Sequence, residues 1–206
     1  MAKGSRDVIL RDRLQFDVNA SGNTSLVYGR IDLSDYVSIP KNEGLAIKEV
    51  RFQLRTNVEE EQGVFPNVLT VRNTSSVPAG GLYGNVKLFA TTTAYENITD
   101  VGIGSPNVLC VLEKQTTTTR DFALGPSGEG GLAVVIDNYE HMFGTPDLHP
   151  EGYDVVTDLL IGIGLDGCTN PSIADTTCEV DVMLIAEPKK ITQRDLTQML
   201  TQSQDL

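Results

Sequence analysis

Between residues 14 and 187 the chain repeats one cadence: short runs rich in Val, Ile, Leu and Thr, each closed by Gly, Pro, Asn or Asp. Such runs, bounded by turn formers and free of helical periodicity, predict β-strands. The clearest is 46–55, where Val50, Phe52 and Leu54 point one way and Glu49, Arg51, Gln53 and Arg55 the other. That period of two marks a half-buried strand, with one face packed and the other open to solvent or a partner. Further strands are expected at 8–18, 24–33, 67–72, 85–92, 107–113, 131–137, 153–165 and 179–187, separated by long connections at 59–66, 73–84, 94–106 and 139–152.

Eight or nine strands with unequal loops and no fixed repeat predict two packed antiparallel sheets, an all-β sandwich of jelly-roll type. The one helical signal is at the C-terminus. Thr192 and Asp195 have the spacing of a capping box, and Leu196, Met199 and Leu200 fall on one face. A helix so short needs a surface to dock on, in its own sandwich or in a neighbouring subunit. The expected division is an N-terminal arm over 1–14, a jelly-roll domain over 15–187 and a C-terminal helical arm over 188–206. A chain of 206 residues fits a single all-β core of this kind.

Charge adds a polarity to this picture. The net charge of -12 is unevenly spread. Residues 1–14 carry Lys3, Arg6, Arg11 and Arg13 against Asp7 and Asp12, a balance of +2, and 188–206 stand at +1, so 15–187 hold -15. Between Arg120 and Lys189 there is no Lys or Arg against thirteen acids, which excludes that stretch from gripping a phosphate backbone. An acidic body serves first as a solvated surface, and at a carboxylate-rich contact between subunits it would offer oxygen ligands that suit Ca²⁺. No EF-hand spacing accompanies it, and no other cofactor is expected.

Candidate chemistry thins out on inspection. Gly162, Gly164 and Gly167 satisfy G-x-G-x-x-G after a strand, but Cys168-Thr169-Asn170-Pro171 follows where a dinucleotide fold needs a helix. These glycines read as relief of crowding in a bent strand and the opening of a turn. The Gly125–Gly131 segment lacks the Lys-Ser/Thr pair of a phosphate loop, and Ser127 lacks a nucleophile's G-x-S-x-G frame. His141 and His149 share a segment with Glu140, Asp147 and Glu151 at spacings that suit no metal geometry. Acid pairs for glycoside hydrolysis are not excluded by sequence, but the chain has no Trp to stack on a sugar. The runs Thr91–Thr93 and Thr116–Thr119 are expected on strand ends or exposed edges, where subunits could meet.

Cys110, Cys168 and Cys178 are an odd number, which suits buried free thiols better than a disulfide framework, although Cys168 and Cys178 bracket one loop and could pair. MAKGSRD lacks the apolar core of a signal peptide, and no apolar stretch reaches the ~18 residues of a membrane span. The expectation is a cytosol-made protein without membrane contact, in which the sequons at Asn19, Asn23, Asn73 and Asn97 are chance matches.

The stretch Val27-Tyr-Gly-Arg-Ile-Asp-Leu-Ser-Asp-Tyr36, followed after a short linker by Ala46-Ile-Lys-Glu-Val-Arg-Phe-Gln-Leu-Arg55, resembles the opening of single-jelly-roll capsid proteins of small single-stranded DNA viruses, smacovirus-like ones in particular. The resemblance covers about thirty residues; the acidic Glu59-Glu-Glu61 loop and the short, mildly basic N-terminus depart from the family. It implies a non-enzymatic shell subunit, found in the virion, that self-assembles as many copies into a closed icosahedral particle. Lys3, Arg6, Arg11 and Arg13 would then face the lumen or packaged nucleic acid, and Thr192, Leu196, Met199 and Leu200 would contact other subunits. The alternatives are another phage or virus structural β-protein, such as a tail-tube, decoration or fibre component, and a carbohydrate- or ligand-binding β-sandwich.

Overall fold

The computed structural model describes residues 7–56, 68–69, 82–121, 133–143 and 152–202, with the backbone alone described for 119–121, 133–143 and 202. Nine strands and one helix follow in order: β1 (Val8–Asp17), β2 (Thr24–Ile31), β3 (Glu43–Arg55), β4 (Leu82–Thr91), β5 (Val108–Asp121), β6 (Ala133–Phe143), β7 (Tyr153–Val155), β8 (Leu159–Asp166), β9 (Thr177–Lys190) and α1 (Gln193–Gln202). They form an all-β sandwich of two antiparallel sheets, one ordered β1-β9-β3-β7 and the other β2-β8-β4-β5-β6. The ladders are nested, with β1 on β9, β2 on β8, β3 on β7 and β4 on β5. The chain changes sheet at every connection except β4 to β5 and β5 to β6.

Alternation decides which side chains meet between the sheets. Along β9, Cys178, Val180, Val182, Leu184 and Ala186 are buried while the residues between them are half-buried or exposed. They face Val86, Leu88 and Ala90 of β4 and Ile161, Ile163 and Leu165 of β8 in one core. Burying a Leu- or Ile-sized side chain contributes about 1.5–3 kcal/mol, so this continuous layer carries most of the stability. In β3 the expected alternation holds from Val50 to Leu54, but the core side of the strand begins with Leu45 and Ile47, in the opposite phase. A bulge between Ile47 and Glu49 inserts Lys48 and switches the phase, so that both ends of the strand face inward. Lys48 bonds Asp7 at 2.7 Å and Glu187 at 2.8 Å.

Several expectations are corrected. Residues 8–14 are not an arm; they are the first seven residues of β1, paired with β9 from Val8↔Ala186 to Asp17↔Thr177. Its Leu10 and Leu14 pack against the core and Phe16 is buried within it. Residues 188–190 likewise end β9 and precede the helix. The run at 153–165 is two strands in different sheets, parted at 156–158. Thr116 and Thr118 are buried at 4% exposure, because β6 pairs with β5 and removes it from the edge. Of the expected strand at 67–72, Val68 and Leu69 are described, both buried in a bend, and the rest lies outside the described residues.

Part of the outer face of the five-stranded sheet, around Phe89 and Val111, is covered by the loop joining β4 to β5. Phe89 and Val111 on that face are buried with Val101 of the loop, and Tyr28, Tyr95 and Ile98 pack against them. The Tyr95 N–H donates to the Tyr28 hydroxyl at 2.6 Å, and Lys87 Nζ donates to the carbonyl of Val101 at 3.0 Å. This packing accounts for the glycine motif. A Cβ on Gly162 would lie 2.0 Å from Phe89 Cζ and one on Gly164 2.8 Å from Ile98, while Gly167 turns the chain at φ +66° and a Cβ on it would lie 2.4 Å from the Tyr83 carbonyl oxygen. The motif makes room for side chains, and no helix follows it.

Helix α1 closes the structure. Thr192 caps it, accepting from the Asp195 N–H at 3.2 Å and donating to the Asp195 carboxylate at 2.6 Å. Leu196 is buried with Val156 and Ile191, and Met199, Leu200 and Val37 pack around them.

Candidate functional site: an arginine-walled trough on the four-stranded sheet

The loop covers part of the five-stranded sheet, while the outward face of β1, β9 and β3 is open. Register fixes its composition rung by rung. Ile9, Ile185 and Glu49 stand side by side, then Arg11, Met183 and Arg51, then Arg13, Asp181 and Gln53, then Gln15, Glu179 and Arg55. Each is the outward member of an alternating strand, so side chains such as Arg13 and Asp181, 168 positions apart, share one surface. The middle rungs enclose an open trough of about 720 Å³, with Met183 and Asp181 on its floor and Arg11, Arg13, Arg51 and Gln53 along its walls.

The charges at one end of the trough are mutually satisfied. Arg13 Nε donates to Asp181 Oδ1 at 2.6 Å and lies 3.5 Å from Glu179, while Arg55 Nη1 reaches Asp181 Oδ2 at 3.3 Å. Gln15 Nε2 donates to Glu179 Oε1 at 2.9 Å. The bond from Arg13 is the largest cause holding the Asp181 carboxyl below its ordinary range, partly opposed by desolvation and aided by the Arg13 charge and by Arg55. The same bond raises Arg13 above the usual guanidinium value. At the other end Arg51 pairs with Glu49 of its own strand, its side chain 60% exposed. Arg11 is exposed and has no ion pair among the described residues.

The sequence-predicted residues divide accordingly. Lys3 and Arg6 lie outside the described residues. Arg11 and Arg13 come together in the trough, held by a strand and not a mobile arm. Thr192 serves as the helix cap, and Leu196, at 7% exposure, is buried with Val156 and Ile191 of its own chain. Met199 and Leu200 are half-buried in the same cluster. Arg51, Arg55 and Met183 were not singled out as site residues; the alternation over 46–55 was the signal that placed both arginines on an outward face.

Other candidates gather no chemistry. Cys110, Cys168 and Cys178 are free and buried, and burial pushes the Cys110 and Cys168 thiols up to about 12. His141 lies on β6 opposite Glu113, its side chain not described, and His149 and 125–131 fall outside the described residues. Among the described residues no group of three His, Cys, Asp or Glu could hold a metal ion, and no helix is long and apolar enough to cross a membrane.

No protein-family model matches the chain, and no curated protein does. Among solved structures the chain is similar to the Acinetobacter baumannii phage AM24 tailspike protein, with 11% identity and a TM-score of 0.21 over 91% of this chain. The chain spans 27% of that tailspike's length, and a likeness of this size carries no argument about fold or function.

Proposed function

We propose that this protein is a virion shell subunit, whose work is self-association into a closed particle and not catalysis. The observation that carries the reading is the nested pairing of β1 with β9, β2 with β8, β3 with β7 and β4 with β5 across two sheets. That nesting supports reading the sandwich as a jelly roll, with β6 added beyond β5. Jelly rolls serve as capsid wall domains, and also as lectin domains and cupins, so the architecture narrows the classes without deciding among them. The sequence resemblance over 27–55 selects the capsid class. In this structure that stretch is most of β2, the turn after it and β3, where the chain crosses back from the five-stranded sheet to the four-stranded one.

A second reading has one observation in its favour. The trough of about 720 Å³ between arginine walls has the size of a ligand site, which suits a binding module for an anionic ligand. Negative-stain micrographs of the purified full chain, with sedimentation velocity across concentration, salt and Ca²⁺, separate the two. The shell reading expects spherical particles. Rings, tubes, fibres or trimers in their place select another viral structural role. A monodisperse monomer under all conditions, with a melting temperature raised by an anionic ligand, selects the binding module and overturns the shell.

A further inference from the structure

The open face in and around the trough carries both signs of charge and an apolar strip. Arg11, Arg13, Arg51 and Arg55 stand against Glu49, Glu179 and Asp181, and Ile9, Met183 and Ile185 adjoin one another along β9 and its neighbour. A nucleic-acid backbone calls for cations of one sign, and single strands also call for aromatic rings on which bases stack. This face places carboxylates on its floor, and no Phe, Tyr or Trp is among its outward residues. Arg and Met over an apolar strip are instead the composition of a protein contact.

The complementary surface lies on the same chain, across the sandwich. The loop over the five-stranded sheet presents Glu96 and Asp100, both exposed and without ion pairs among the described residues. Beside them Ile103 is 72% exposed, the most exposed large hydrophobic side chain described. Tyr28, Lys87 and the bond from Ser105 Oγ to the Asp100 carbonyl at 2.6 Å hold this loop in place. It is therefore presented already ordered, which lowers the entropic cost of a contact. Two carboxylates beside an apolar tip match two arginines beside an apolar floor.

We infer that the trough is the docking site for the 94–105 loop of a second copy of this chain, with Arg11 and Arg51 receiving Glu96 and Asp100, and Ile103 seated against Met183 and Ile185. The contact joins opposite faces of successive subunits. It is head-to-tail and propagates into a ring or shell where the rotation between copies closes. This inference rests on the shell reading and assigns one of its interfaces.

Charge reversal on each side tests it. Arg11→Glu with Arg51→Glu alters the trough, and Glu96→Arg with Asp100→Arg alters the loop; all four side chains are exposed or paired only within their own strand, and circular dichroism and melting check that each variant folds. Sedimentation velocity of the full chain in low salt is expected to show association weakened at least about tenfold in either double variant and recovered in the quadruple variant. Wild type that associates while the trough variant does so undiminished, or a quadruple variant that does not recover, overturns this interface and leaves the shell reading standing. A trough variant that associates normally but no longer retains a single-stranded oligonucleotide bound by wild type assigns the face to nucleic acid and also overturns the inference. A wild type that never associates overturns both readings.

Discussion

Asp181 is the residue on which the open face turns, because it accepts from Arg13 on one side and Arg55 on the other while standing on the strand between them. A carboxyl held below its usual range in the folded state contributes stability above its unfolded pKa, and that contribution disappears as pH falls through the folded value. Asp181→Asn is expected to cost about 0.2–1 kcal/mol at neutral pH, the range of partly exposed ion pairs. The difference from wild type shrinks from about pH 4 downward, as the carboxylate protonates. Urea midpoints of both proteins at pH 7, 5 and 3 measure it, and a gap that persists undiminished at pH 3 would locate the cost in packing instead of charge. Sequence alone could place Arg51 and Arg55 outward from the period of two in β3. It could not place Arg13 beside Asp181, because that contact spans 168 positions and depends on a ladder, not on a local pattern.

At the level of elements, periodicity located most strands and misread those whose neighbours determine their exposure. The run at 153–165 looks continuous because β-forming residues recur from Tyr153 and Val155 through Leu165, yet three intervening residues carry the chain from one sheet to the other. The threonines of β5 have the polarity of an edge, and pairing with β6 buries two of them. In β3 the phase change at Lys48 is invisible to a pattern of alternation, since a bulge is a property of two strands together. Helix α1 was legible through its cap and its apolar spacing, and what the spacing left open was its receptor. Val156, Ile191 and Leu196 form a cluster separate from the main core, so the helix is held by few contacts. A helix of ten residues has little stability of its own. Leu196→Ala is therefore expected to release the helix without unfolding the sandwich. Hydrogen exchange would show protection lost across 193–202 and retained in β9 and β3, and a global loss of protection would instead make the helix part of the main folding unit.

For the molecule as a whole, the nested pairing makes the first and last of the described strands neighbours. β1 lies against β9, so the first and last strands close the same sheet, and the polarity read from the sequence as arms beside a body resolves into two faces of one sandwich. The basic character assigned to the N-terminus is, in the described part, built into a strand: Arg11 and Arg13 are outward residues whose neighbours Leu10, Leu14 and Phe16 pack inward. This distinction can be measured by truncation. Removing 1–6 takes away Lys3 and Arg6 and leaves β1 intact, and the product is expected to fold with a melting temperature near that of the full chain. Removing 1–14 deletes most of β1, strips the apolar cover that Leu10 and Leu14 give the core, and leaves β9 as a long edge that can pair with other chains. Full burial of a Leu side chain contributes about 1.5–3 kcal/mol, so even two half-buried ones are a sizeable share of the stability of an ordinary domain. The longer truncation is therefore expected to be insoluble or to lose its cooperative melting transition. Soluble yield and far-ultraviolet circular dichroism of the two truncations would decide between a strand and an arm: equal folding of both would return residues 8–14 to an arm, while failure of the longer one alone makes them part of the wall.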